Sequence, residues 1–220
     1  MKNKTIILFD LDGTLIDSTE AILESFAAAY KIFGKEPPED TLIKAEIGHP
    51  LDHMFTTFGI AEEVVWEYVN AYKMHYRKIS CAKTLLLSDA REAVALAKQH
   101  AVLGVVTTKT AKYSIELLEH MGLMDYFDVL IGREDVSEPK PHPEPIEKAL
   151  AKLPTVTGGV WMVGDTCMDM CCARAANVGG VAVTCGYGSE DALSKCGNEL
   201  CRNALDAVKF IVNAEQSPYH

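Results

Sequence analysis

The sequence predicts an α/β protein: a parallel sheet with helices on both faces, interrupted by an inserted all-helical domain. Three observations carry this. Short apolar runs alternate with helical periods through most of the chain. Residues 17–81 repeat at helical spacing and show no strand signal. Acidic residues, a threonine and a lysine come after the apolar runs, where open α/β sheets bind ligands.

Residues 5–9, Thr-Ile-Ile-Leu-Phe, read as a buried strand. The strand ends in Asp10-Leu11-Asp12-Gly13-Thr14, a turn that puts carboxylates at its carboxyl end. In the insert, Asp17 with Glu20 forms a capping box. Ile22, Phe26, Ala29, Tyr30 and Phe33 then follow helical spacing until Gly34. Pro37-Pro38 is a linker, a short helix over 39–46 ends at Gly48, and Pro50 opens another that Gly59 closes. Over 61–79, Val65, Tyr68, Val69, Tyr72, Tyr76 and Ile79 share one helix face.

Alternation follows. Helices are predicted over 88–100, 110–121, 143–153 and 168–177, and strands over 102–107, 127–131, 160–163 and 180–184. Helical segments complete the chain. Five parallel strands therefore gather their carboxyl ends in one crevice.

Composition narrows the function. With 220 residues, 48% hydrophobic and 24% charged, the chain can bury roughly 70% of its unfolded surface without a structural metal or disulfide. A formal charge of −10 argues against nucleic acid and anionic membrane as partners. No apolar run reaches 18 residues, and the polar start leads into an apolar run too short for a secretory signal, so the expected location is cytoplasmic. Seven cysteines, an odd number, argue against a disulfide framework. Cys167, Cys171 and Cys172 cluster without paired CxxC spacing or a nearby histidine, so they read as small thiols packing a helix rather than a zinc site.

Four features sit just after predicted strands: Asp10 with Asp12, Thr107, Lys140, and Asp165 with Asp169. Asp10, Asp165 and Asp169 supply three carboxylates, a donor set suited to hard, oxygen-loving Mg²⁺. Lys140 lies between Pro139 and Pro141, which bias it towards extended backbone. A metal and a lysine give an acidic chain a pocket that attracts a phosphoryl group, and Thr107 adds a hydroxyl.

Four stretches together resemble the ordered motifs of the haloacid dehalogenase superfamily. They are Phe-Asp-Leu-Asp-Gly-Thr-Leu (9–15), Val-Val-Thr (105–107), Lys-Pro (140–141) and Val-Gly-Asp-Thr-x-x-Asp (163–169). Lys-Pro-His-Pro-Glu-Pro (140–145) and residues 173–176 are similar to its phosphoglycolate phosphatase branch. The resemblance implies a Rossmann-like doubly wound core (1–16 and 82–220) with an all-helical cap (17–81). It implies that Asp10 is the nucleophile and Asp12 the general acid and base. It assigns Mg²⁺ to the Asp10 carboxylate, the Asp12 backbone carbonyl and Asp165, with Asp169 close by or acting through water. Thr107 and Lys140 would hold the phosphate. Thr108 stands where relatives often carry asparagine, as a substrate-binding candidate. The Pro-Gly that often follows the cap is absent near Leu87-Ser88. His49 lies in the cap turn where relatives read the substrate.

The implied activity is Mg²⁺-dependent hydrolysis of a small phosphorylated metabolite, with 2-phosphoglycolate foremost. A pyrophosphatase of the same branch, similar through Thr-Thr-Lys (107–109), is the nearest alternative, and a phosphomutase would share the core. The intact Asp10–Asp12 pair disfavours a non-catalytic phospho-ligand binder, and Asp12 disfavours a dehalogenase.

Overall fold

The computed structural model describes residues 5–196 and 199–216. The polar reading of residues 1–4 and the helical readings of 197–198 and 217–220 lie outside them. The chain forms two compact units, Met1–Asp17 with Leu86–His220, and Ser18–Leu85.

In the larger unit, β1 (Thr5–Phe9) is buried along its whole length, as its Ile-Ile-Leu run requires. The chain passes through a two-residue strand, β2 (Ile16–Asp17), and leaves for the smaller unit.

The smaller unit is helical: α1 (Thr19–Ile32), α2 (Asp40–Ala45), α3 (Leu51–Thr57) and α4 (Val65–Lys83). Its core is aromatic. Phe26 packs on Phe55 with ring centroids 4.6 Å apart, and Tyr30, Tyr68 and Tyr72 surround them. The expected capping box does not form. Ser18 is the N-cap, without a side-chain hydrogen bond. Glu20 reaches Lys83 instead, at 2.6 Å, and Glu24 flanks the same ammonium.

A second short strand, β3 (Leu85–Leu86), leads back to the larger unit. There α5 (Ala90–His100), β4 (Ala101–Val106), α6 (Ala111–His120), β5 (Val129–Ile131) and α7 (Glu144–Lys152) alternate. They continue as β6 (Val160–Gly164), α8 (Cys167–Ala175), β7 (Gly179–Val183), α9 (Glu190–Lys195), β8 (Glu199–Cys201) and α10 (Ala204–Gln216). The sheet order is β5-β4-β1-β6-β7-β8, and every pairing is parallel. Among the described residues it has six strands rather than five, because β8 interrupts the predicted C-terminal helical stretch.

The order puts β1 in the centre, with β4 on one side and β6 on the other. Phe9 pairs with both Val105 and Val163, so these three strands end at one level. The chain wound outwards from β1 in both directions opens a crevice at that level. Leu8, Val106, Ile131, Ile146, Met162 and Cys172 belong to the apolar cluster on one side of the sheet.

The cysteines divide. Cys167 and Cys196 form a disulfide that ties the start of α8 to the end of α9 across a Cα–Cα distance of 6.1 Å. Cys172 is a buried thiol whose Sγ donates to the His142 carbonyl. Among the described residues, no helix is long and apolar enough to cross a membrane.

Candidate active site

The crevice holds a buried cluster of opposite charges. Asp10 follows β1, and its N–H donates to the Val163 carbonyl at 2.8 Å, so the strand pairing fixes its place. Asp165 follows β6, and Asp169 sits in the first turn of α8. Carboxylate oxygens of Asp10, Asp165 and Asp169 lie within 4.8 Å of one another, and all three residues are buried.

Lys140 enters from the loop before α7. Its Nζ donates to Asp10 Oδ1 at 2.7 Å, to Asp169 Oδ1 at 2.5 Å and to the Val106 carbonyl at 3.2 Å. It thereby ties together the ends of β1 and β4 and the start of α8.

Asp169 has two structural tasks. Its Oδ2 accepts from the Thr166 N–H and hydroxyl at 3.0 and 2.7 Å, while the Thr166 hydroxyl accepts from the Asp169 N–H. This is a capping box, and it orients the carboxylate that Lys140 meets.

Asp165 is held from several directions. The Tyr187 N–H donates to its Oδ2 at 2.7 Å, and the Thr14 hydroxyl to its Oδ1 at 3.2 Å. Gly13 and Gly186 press against it so closely that a Cβ on either would overlap the carboxylate. Gly13 also has φ +82°, a conformation that L side chains rarely adopt.

Burial raises the Asp10 carboxyl, Lys140 draws it back, and Asp169 and Asp12 raise it again; the net position is about 7. Asp165 is also held well above the ordinary carboxylate range, first by burial and then by repulsion from Asp10 and Asp169. Burial disfavours the Lys140 charge, yet the two carboxylates beside it outweigh burial and hold the ammonium above its usual range.

The other expected residues are placed as follows. Asp12 Oδ2 pairs with Lys109 Nζ at 3.1 Å. Thr107 follows β4, buried, with its N–H bonded to the Ile131 carbonyl and its hydroxyl accepting from the Lys109 N–H. Thr108 follows it, half-buried. His142 takes part in a turn, its N–H donating to the Pro139 carbonyl and its ring accepting from the Glu144 N–H. His49 belongs to the smaller unit. Burial and the adjacent His53 pull its imidazole below the ordinary histidine range.

Two groups went unassigned in the sequence. One is Lys109, whose partner Asp12 is 97 positions away. The other is the Gly13, Gly186 and Tyr187 cradle around Asp165. Gly13 sits inside the 9–15 motif, and Tyr187, between Gly186 and Gly188, reads from the sequence as a structural residue.

Three buried carboxyl groups share one ammonium, and the raised positions of Asp10 and Asp165 show that their ionised forms lack positive charge nearby. The donors are all oxygen, as a hard divalent cation prefers, so these residues fit such an ion. A parallel sheet that gathers such a cluster at its carboxyl ends places it where open α/β proteins bind ligands. The chain belongs to the haloacid dehalogenase-like hydrolase family, whose model matches residues 7–183.

It is similar to a phosphoglycolate phosphatase of Neisseria meningitidis serogroup A, with 32% identity over 86% of this chain and 84% of the relative. It is also similar to the pyrophosphatase PpaX of Halalkalibacterium halodurans, with 34% identity over 78% and 80%. A haloacid dehalogenase-like hydrolase from Streptococcus pneumoniae superposes with a TM-score of 0.82 at 26% identity, covering 96% of this chain and 99% of its own. The protein is accordingly a phosphatase of this family.

Proposed function

We infer that the protein is a Mg²⁺-dependent phosphomonoester hydrolase that forms an aspartyl phosphate on Asp10. The observation that carries this reading is the buried Lys140 ammonium set between Asp10 and Asp169, beside Asp165. Asp10, Asp165 and the Asp12 carbonyl would hold Mg²⁺, with Asp169 next to them. The ion would supply positive charge to the transferring oxygens.

The chain's own groups account for the steps. An Asp10 oxygen attacks phosphorus, and the bond to the leaving oxygen breaks. Asp12, held by Lys109, passes its proton to that oxygen. Asp12 then takes a proton from water, whose oxygen attacks the same phosphorus and frees phosphate with an intact Asp10. Lys140 stabilises the phosphoryl charge throughout, and Thr107 binds a phosphoryl oxygen. Residues 17–81 serve as the cap that selects the substrate.

The substrate class is a small phosphorylated metabolite, with 2-phosphoglycolate first because of the phosphoglycolate phosphatase relatives. The pyrophosphatase relatives favour pyrophosphate as the second reading. A phosphate-release panel with 2-phosphoglycolate, pyrophosphate, sugar phosphates and bisphosphorylated sugars tests this. The expected result is release from a phosphomonoester, lost with chelator and restored by Mg²⁺. Full turnover in chelator would contradict the metal assignment; isomerisation of a sugar phosphate without phosphate release would make the protein a mutase.

Two further outcomes concern the cation. Asp10 and Asp165 both have raised positions, so the folded state holds their protons more tightly than the unfolded chain. Cation-free stability should therefore fall as pH rises from about 4 through about 7. Mg²⁺ competes with those protons, so it should raise the melting temperature more at about pH 8 than at about pH 5.5. Equal shifts at both values would contradict the carboxylate ligands.

Gly186→Ala should force Asp165 out of position and weaken Mg²⁺ activation by about 10–100-fold. A Mg²⁺ titration of turnover checks this. An unchanged half-saturation would show that the cradle does not position a ligand.

A further inference from the structure

The geometry points to a second metal site in the smaller unit, formed by Glu46, His49 and His53 and suited to a borderline d-block cation such as Zn²⁺. One ligand atom from each of the three lies within 4.8 Å of the other two. Among the described residues, the only other such grouping is the all-carboxylate cluster of the larger unit.

The backbone brings these donors together. Glu46 caps the end of α2, and its carbonyl accepts from the His49 N–H at 3.1 Å. Gly48, at φ +110°, turns the chain between them. Pro50 then caps α3, which puts His53 in that helix's first turn, four residues after His49. The two imidazole rings sit 4.7 Å apart. Buried Ile43, Ile47, Met54 and Phe55 anchor the turn and both helices, while the donors are half-buried or exposed and open to an ion from solvent.

The chemistry separates this site from the carboxylate cluster. Two neutral imidazoles and one carboxylate favour Zn²⁺ and its d-block neighbours over Mg²⁺. Donors bound at about 2.0–2.2 Å in a tetrahedron stand roughly 3.3–3.6 Å apart, so modest side-chain rotation closes the set. Three protein ligands leave one position for water or an added group. In this arrangement His49 is a metal ligand rather than a direct reader of substrate. The inference does not depend on which phosphate compound the carboxylate cluster processes.

The test uses the full chain, freed of metals by chelator and then held in excess Mg²⁺ to occupy the hard site. Zn²⁺ is titrated while histidine ring signals are followed by NMR and heat by calorimetry. One equivalent should shift the His49 and His53 rings together and leave His75 and His142 in place. His53→Ala, His53→Gln and Glu46→Gln should each cost more than the roughly 10–100-fold that loss of an outer-shell partner costs. Far-UV circular dichroism checks that each variant folds. Unmoved His49 and His53 signals after one equivalent of Zn²⁺ in the folded wild type would overturn the site, whatever the variants do. Wild-type affinity in the folded variants would overturn it as well.

Discussion

Asp10→Asn is expected to cut turnover by at least about 10⁴-fold while making the cation-free protein more stable above neutral pH. The two effects share a cause. The Asp10 carboxylate is the proposed nucleophile, and an amide cannot form the aspartyl phosphate. Yet its ionised form is costly where it stands, since burial and the Asp169 and Asp12 charges outweigh Lys140 and move it to about 7 from 3.8. The folded state therefore gains from the Asp10 proton, and that gain disappears as pH rises through about 7. The difference is on the order of a few kcal/mol. Asparagine keeps an oxygen to accept from Lys140 and carries no charge to desolvate. Urea denaturation in chelator should show the variant above wild type at about pH 8 and close to it at about pH 4. Rapid quench with labelled substrate should trap a phosphoenzyme on Asp10 in wild type and none in the variant. Label on another residue, or an active Asp10→Asn enzyme, would remove Asp10 as nucleophile.

The larger unit was legible because its signals are local. Val, Ile and Leu runs mark strands buried on both faces, and Asp10, Thr107 and Asp165 each sit directly after one. Parallel pairing then brings distant motifs to one level: Phe9 lies opposite both Val105 and Val163, so Asp10, Thr107 and Asp165 follow. What escaped was decided by partners far along the chain. Glu20 gave up a capping role for Lys83, 63 positions on. Cys167 found Cys196 across α8 and α9. β8 is a three-residue edge strand, too short to show an alternating pattern. The cradle around Asp165 uses a backbone N–H and the missing side chains of glycines, and neither has a signature in residue type. The second role of Asp169 also depends on its partners: in the first turn of α8 one oxygen serves the helix cap and the other meets Lys140.

Lys140→Met should cause the largest loss of folding stability of any single change in the cluster, and it should reduce kcat as well. Lys140 is the ammonium that Asp10 and Asp169 share, and its side chain is 3% exposed. Removing one partner of a buried pair leaves uncompensated charge and costs about 3–5 kcal/mol. The sign follows from the raised position of Lys140: its stabilisation is fully present below about 10.5, the unfolded value, and is therefore intact at about pH 8. In the variant the carboxylates can relieve their repulsion only by taking up protons. The deficit should thus be greatest in chelator at about pH 8 and shrink towards about pH 5. Mg²⁺ should restore part of it by adding positive charge among the carboxylates. Catalysis is a separate matter, because the cation cannot replace a donor aimed at the phosphoryl oxygens, and kcat should fall by about 10²–10³-fold even in saturating Mg²⁺. Lys140→Arg keeps the charge but brings a planar, wider head into a space shaped for three hydrogen bonds from one nitrogen. It should recover more stability than activity. Urea titrations at both pH values, with and without Mg²⁺, separate these contributions. A Lys140→Met protein as stable as wild type at about pH 8 in chelator would mean that Asp10 and Asp169 are not both charged beside Lys140 in the folded protein.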